Sequence, residues 1–137
     1  MVCFRMLALI AVFVPTLWAT PATACYTGPM PLAFDGRTAQ LTEHSKERLA
    51  YYAEMGGIDG KDRLLVIFYG PAPRHAADKG LLKKRQATVR GYLLYKGVPA
   101  SAVSLVTTKR AMPTYILDFD PGVRSVATVE LTIGCGG

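Results

Sequence analysis

Arg85 stands on a helical stripe with Leu81, Val89 and Tyr92, positions that recur every three or four residues. A guanidinium on a packed stripe calls for acceptors, because an unpaired buried charge is costly. A ligand carboxylate, an internal acid, strand-end carbonyls or a snorkelling stem would each meet that need. Asp118 and Asp120 form a D-x-D pair, a spacing that suits paired carboxylates or a metal. They lie between Tyr115-Ile116-Leu117 and Pro121-Gly122, however, where Asp serves a strand end and a turn. His44 sits beside Glu43 early in a helix and faces solvent, and His75 follows Arg74 in a loop. Beyond residue 24, two thiols and two scattered histidines without C-x-x-C or H-x-x-H spacing do not make a metal site. Chain order offers no Ser/His/Asp or Cys/His arrangement. The expectation is therefore no enzyme activity, no cofactor and no metal.

Charge narrows the class of ligand. The chain has 16 basic and 10 acidic side chains in 137 residues. Lys79, Lys83, Lys84, Arg85 and Arg90 cluster on one predicted helix. Such a helix can track phosphates. Without a base-reading motif, and in an exported chain, it reads as a solvated face, and no nucleic-acid partner is expected.

Export is read from the N-terminus. Arg5 precedes an apolar run from Met6 to Val14, and Ala22-Thr23-Ala24 supplies small residues at a cleavage site. Residues 1–24 thus have the layout of a secretory signal peptide. Pro15 and Pro21 interrupt the run, which falls short of the roughly 20 apolar residues of a membrane span. No transmembrane segment is expected after cleavage. Removing Arg5 leaves 15 basic side chains against 10 acidic ones in residues 25–137, a length that suits one domain. The remaining cysteines, Cys25 and Cys135, are expected to pair as a disulfide in an oxidising compartment. Closing so long a loop stabilises by about 4–5 kcal/mol in the loop-entropy picture. Lipidation of Cys25 is the less favoured alternative, since Ala22 stands where lipoprotein signals carry Leu.

The elements that position these residues follow an α/β order. Met30 to Phe34 reads as a strand. Thr42 then caps a helix carrying Leu49, Tyr52 and Met55, which ends at Gly56-Gly57. Arg63 to Tyr69 reads as a strand buried on both faces, and Gly70 to Pro73 as a loop. A second helix is expected from about Asp78 to Lys96, with Asp78 as its N-cap, Gly97 closing it and Pro99 beyond. Ala102 to Thr108 forms the next strand. Tyr115 to Phe119 and Val126 to Ile133 are expected to make a hairpin about Asp120-Pro121-Gly122.

The second helix carries a family resemblance. Leu81, Arg85, Val89, Tyr92, Leu93, Gly97 and Val98 stand in register with the pattern L-S-x-x-R-A-x-x-V-x-x-Y-L-x-x-x-G-V, so the helix resembles that of the OmpA-like, peptidoglycan-associated domain. Leu41-Thr42-Glu43 through Leu49, Arg63-Leu64-Leu65-Val66 and Val129-Glu130-Leu131 resemble the family's first helix, its strand before the ligand loop and its final strand. The resemblance implies an α/β fold: a two-layer α/β sandwich with a mixed sheet, ordered strand-helix-strand-helix-strand-strand. It also implies a periplasmic, cell-envelope location.

The same resemblance implies a ligand and shows a gap. Family members hold the diaminopimelate residue of the peptidoglycan stem between a loop Asp and the helix Arg. A carboxylate takes the ammonium, and a guanidinium takes the carboxylate. Arg85 occupies the helix position. The loop position falls on Gly70 or Pro71, and no acid stands between Arg63 and Asp78. Asp78, about two turns before Arg85, offers a substitute carboxylate or merely the helix N-cap. The implied function is weak, non-catalytic binding of peptidoglycan through Arg85, Asp78, Gly70 and Pro71. The alternative is a degenerate module with a structural role or an envelope protein partner.

Overall fold

In the computed structural model, residues 24–26, 28–57, 62–71, 73–117 and 125–134 are described. The elements in chain order are β1 (Ala24–Tyr26), β2 (Met30–Ala33), α1 (Glu43–Tyr52), β3 (Arg63–Tyr69), α2 (Ala76–Tyr95), β4 (Val103–Thr108), α3 (Thr114–Leu117) and β5 (Ser125–Gly134). The predicted order is present, with β1 added before the first expected strand. Of the expected signal segment only Ala24 is described, in β1; residues 1–23 and Cys135 lie outside the described residues, as do Asp118 to Arg124, where the turn was expected.

The strands form one mixed sheet in the order β1-β5-β3-β4, with β2 also paired to β5. β1 and β2 follow one another along one edge of β5, at 132–134 and 125–129. β3 is antiparallel to β5 and parallel to β4. β2 therefore runs parallel to β3, and α1 and α2 are the two crossovers between parallel strands.

Both helices pack on one sheet face. Leu64, Val66 and Phe68 of β3 and Ala127, Val129 and Leu131 of β5 point into a common core with Leu49 and Tyr52 of α1 and Val89 and Leu93 of α2. The period-two pattern along β3 is the direct consequence: alternate residues are buried, and Leu65, Ile67 and Tyr69 are half-buried on the other face. This corrects the expectation of a strand buried on both faces. An all-apolar run does not distinguish a doubly covered strand from one whose second face is only partly shielded.

α1 begins as its sequence predicts. Thr42 is extended, and its hydroxyl accepts from the Ser45 amide at 3.3 Å. The buried Ser45 hydroxyl in turn accepts from the Ala33 amide at 2.8 Å, which ties the end of β2 to the helix start. Past Tyr52 the chain widens into a π-helical segment over Ala53–Gly57, and Met55 is exposed rather than in the core.

Two further expectations fail. Asp78 is not the N-cap of α2; His75 holds that position and makes no side-chain cap bond. The helix starts earlier because Ala76 and Ala77 extend it at no side-chain entropy cost. The first half of the predicted hairpin is also absent, since Thr114–Leu117 is a short helix opened by Pro113. Pro113 accepts from the Ile116 amide at 3.1 Å, and that turn fully buries Ile116. A strand-like Tyr-Ile-Leu triplet is outweighed by Pro113 and by burial of its central residue.

Candidate functional site

The C-terminal end of β3, the start of α2 and the loop after β2 meet around a cleft of about 920 Å³. Phe34, Phe68, Leu81, Leu82 and Val126 supply its apolar walls. Arg37, Arg74, Asp78 and Arg85 supply its charge, and His75 adds an imidazole. The size suits a small ligand or part of a polymer chain. The excess of cations favours an anionic group.

Gly70 ends β3 with φ of +132°, a conformation open to glycine and strained for other residues. Its amide donates to the Arg110 carbonyl at 3.1 Å, which pins the loop to the chain beyond β4. Pro71 is exposed and lines the cleft. Leu82 also lines a smaller hollow of about 270 Å³ between Tyr69, Gly70 and the end of β4.

On α2, Asp78 and Arg85 lie two turns apart and open onto the same cleft. Arg85 Nε donates to the Thr38 carbonyl at 2.8 Å, and Nη2 donates to the Gly36 carbonyl at 3.0 Å. Its guanidinium carbon lies 4.8 Å from the centre of the Phe34 ring, a cation–π distance. Asp78 accepts from Arg37 Nη2 at 3.0 Å. The Asp78 side chain is 38% exposed and that of Arg37 is 87% exposed.

All four candidate ligand residues, Arg85, Asp78, Gly70 and Pro71, thus stand around one corner of the fold. Arg85 and Asp78 line the large cleft, Gly70 the smaller hollow, and Pro71 both. Among the alternatives open for Arg85, carbonyl acceptors are present, donated by the β2–α1 loop rather than by a strand end. Arg37 and the carbonyls it flanks were missed in the sequence. Asp35-Gly36 signals a turn, but nothing local tells which helix the turn leans on. His75 and Arg74 also line the cleft. His44 is exposed and pairs with Glu47 at 3.3 Å, away from the lining.

Cys25 lies opposite Ile133 in the β1–β5 ladder. Its predicted partner Cys135 is outside the described residues. Among the described residues, no three of His, Cys, Asp and Glu gather as a metal site. No helix among them is long and apolar enough to cross a membrane.

No protein-family model matches the chain, and no curated protein does. Solved structures do match. The OmpA-like domain of FopA1 from Francisella tularensis subsp. tularensis SCHU S4 is 17% identical, with 81% of this chain and 80% of that one covered and a TM-score of 0.51. The C-terminal domain of Helicobacter pylori MotB is 16% identical over 77% of this chain and 82% of that one, TM-score 0.48. The peptidoglycan-associated lipoprotein from Burkholderia pseudomallei is 17% identical over 77% and 87%, TM-score 0.46. The match to the FopA1 domain establishes that this chain has the OmpA-like fold, an α/β architecture with a mixed sheet.

Proposed function

We propose that the chain is an exported, non-catalytic domain of the cell envelope that binds peptidoglycan peptide stems weakly. Residues 1–24 would leave as a signal peptide, and residues 25–137 would fold in the periplasm. The observation that carries this reading is the joint exposure of Asp78 and Arg85 to one cleft at the strand-end corner of an OmpA-like fold. A stem residue with an ammonium and a carboxylate offers each of them a charge-assisted partner. The cations Arg74 and Arg85 along the cleft add attraction for the acidic stem, an attraction that salt screens.

One observation favours a second reading. Both charged groups already have partners within the chain, Asp78 on Arg37 and Arg85 on the Gly36 and Thr38 carbonyls. A domain whose cleft is satisfied from within can serve as a structural module or dock an envelope protein instead. Co-sedimentation with purified peptidoglycan separates the two. Wild-type protein should pellet at low salt and release at high salt, and Arg85→Ala should pellet less. Protein that stays in the supernatant at low salt would leave the structural reading.

A further inference from the structure

The loop after β2 meets both charged groups of the cleft at once. It brings a cation to Asp78, the Arg37 guanidinium at 3.0 Å. It brings oxygen acceptors to Arg85, the carbonyls of Gly36 and Thr38 on either side of that same Arg37. A zwitterion would offer the pair this complement too, a cation for the acid and oxygens for the guanidinium. The loop is built to hold the pose. The Asp35 amide donates to the Gln40 carbonyl at 2.8 Å, the Thr38 hydroxyl donates to the Asp35 carbonyl at 2.6 Å, and Gly36 takes φ of +53° at the tip.

The two contacts differ in how firmly they hold. The Arg85 bonds run to backbone oxygens of a closed turn, beneath which the guanidinium covers Phe34. The Arg37–Asp78 pair is exposed on a long side chain, and such surface pairs are weak and screened by salt. Arg37 can leave without moving the turn, whereas Arg85 cannot release its carbonyls without loosening it.

We propose that this loop is an internal pseudo-ligand of the cleft and that Arg37 is its displaceable part. Arg37 occupies the Asp78 carboxylate until a ligand ammonium takes its place, and the clamped turn stays where it is. The proposal rests on the wall-binding reading of this cleft and adds a competitor to it. Arg37 thereby sets a threshold: a ligand with an ammonium within reach of Asp78 displaces it, and a purely anionic ligand does not.

The test is calorimetric titration of the folded protein with a soluble muropeptide that keeps a free ammonium and a free carboxylate on its stem. Arg37→Ala should tighten binding about two- to fivefold at low salt, the span expected for loss of an exposed competing ion pair. The gain should vanish in the Asp78→Asn background, since no carboxylate is left to uncover. Melting curves check that both variants fold. If wild type binds and Asp78→Asn weakens it, yet Arg37→Ala binds no tighter, Arg37 is no competitor and the proposal falls while the wall-binding reading stands. An equal gain with and without Asp78 also overturns it, because relief of crowding or of charge then explains the change. If no variant binds at all, the wall-binding reading fails and this proposal with it.

Discussion

Asp78 and Arg85, two turns apart on one face of α2, grip the same turn from two directions: Asp78 holds the Arg37 side chain, and Arg85 holds the carbonyls of Gly36 and Thr38. The helix that carries the cleft's charges also fixes the loop that forms its opposite wall. The charge of the cleft and the order of this loop are therefore coupled through Arg85.

Arg85→Ala should consequently do more than lower ligand affinity. It removes two charge-assisted bonds and the contact over Phe34. Partial exposure reduces the ordinary cost of such bonds, and a global loss of about 1 kcal/mol is expected. The local effect should be larger. Hydrogen exchange at the Asp35, Thr38 and Gln40 amides, all bonded within the turn, should speed up well before the core amides respond.

Thr128 offers a stability test at a residue that does not line the cleft. It is fully buried on β5, opposite Pro31 of β2 and Ile67 of β3, and its hydroxyl has no hydrogen-bond partner among the described residues. A buried, unpaired hydroxyl is destabilising, and valine has nearly the same shape. Thr128→Val should raise stability by about 1 kcal/mol in denaturant melts, with m unchanged.

Glu130, on the same strand, should give a pH signature. Partial burial raises its carboxyl above the ordinary value of 4.5. An acid whose folded pKa is raised binds its proton more tightly in the native state, so stability is highest below 4.5 and falls as pH rises through the folded pKa. Its side chain is only half-buried, so the cost is a fraction of the 1.36 kcal/mol that a full unit represents. Glu130→Gln should flatten this decline and melt slightly higher than wild type at neutral pH.

The sequence made the fold legible because each main element carries its own period and its own stops. Thr42 caps α1, Gly97 at φ +95° closes α2, and the β3 limits fall where they were expected. The stripe on α2 set Arg85 in line with Leu81, Val89 and Tyr92 without any view of the sheet. One failure was local: Asp78 is no cap because its neighbours Ala76 and Ala77 extend the helix past it. The others were decided by partners distant in sequence. Thr114–Leu117 is helical because Ile116 has a place to be buried. The role of Arg37 was illegible for the same reason, since it is defined by a residue 41 positions away.

Cysteine pairing is open to a direct check. The β1–β5 ladder sets Cys25 opposite Ile133, two positions short of Cys135 in sequence. The expected product is a Cys25–Cys135 disulfide in exported protein. Mass spectrometry after alkylation without reductant should find neither thiol modified. Two alkylated thiols, or a diacylglyceryl group on Cys25, would refute it.

The missing loop acid allows the sharpest functional test, because the two positions that can receive it differ in backbone. Gly70 has φ of +132°, so Gly70→Asp strains the end of β3 and should cost about 1–2 kcal/mol. Pro71 is exposed on the cleft rim and its backbone accepts an L-residue. Pro71→Asp should therefore fold like wild type and place a second carboxylate near the cleft that Asp78 and Arg85 share. If that cleft holds the ammonium and carboxylate of a peptide stem, the new acid should strengthen co-sedimentation with peptidoglycan. A charge-assisted bond reduced by exposure corresponds to about a three- to tenfold gain in affinity. The gain should shrink at high salt and be largely lost when Arg85→Ala is added, since both charges then no longer act together on one zwitterion. A Pro71→Asp protein that folds but pellets no better, alongside an Arg85→Ala protein that pellets no worse, would remove the wall-binding reading and leave a structural module in its place.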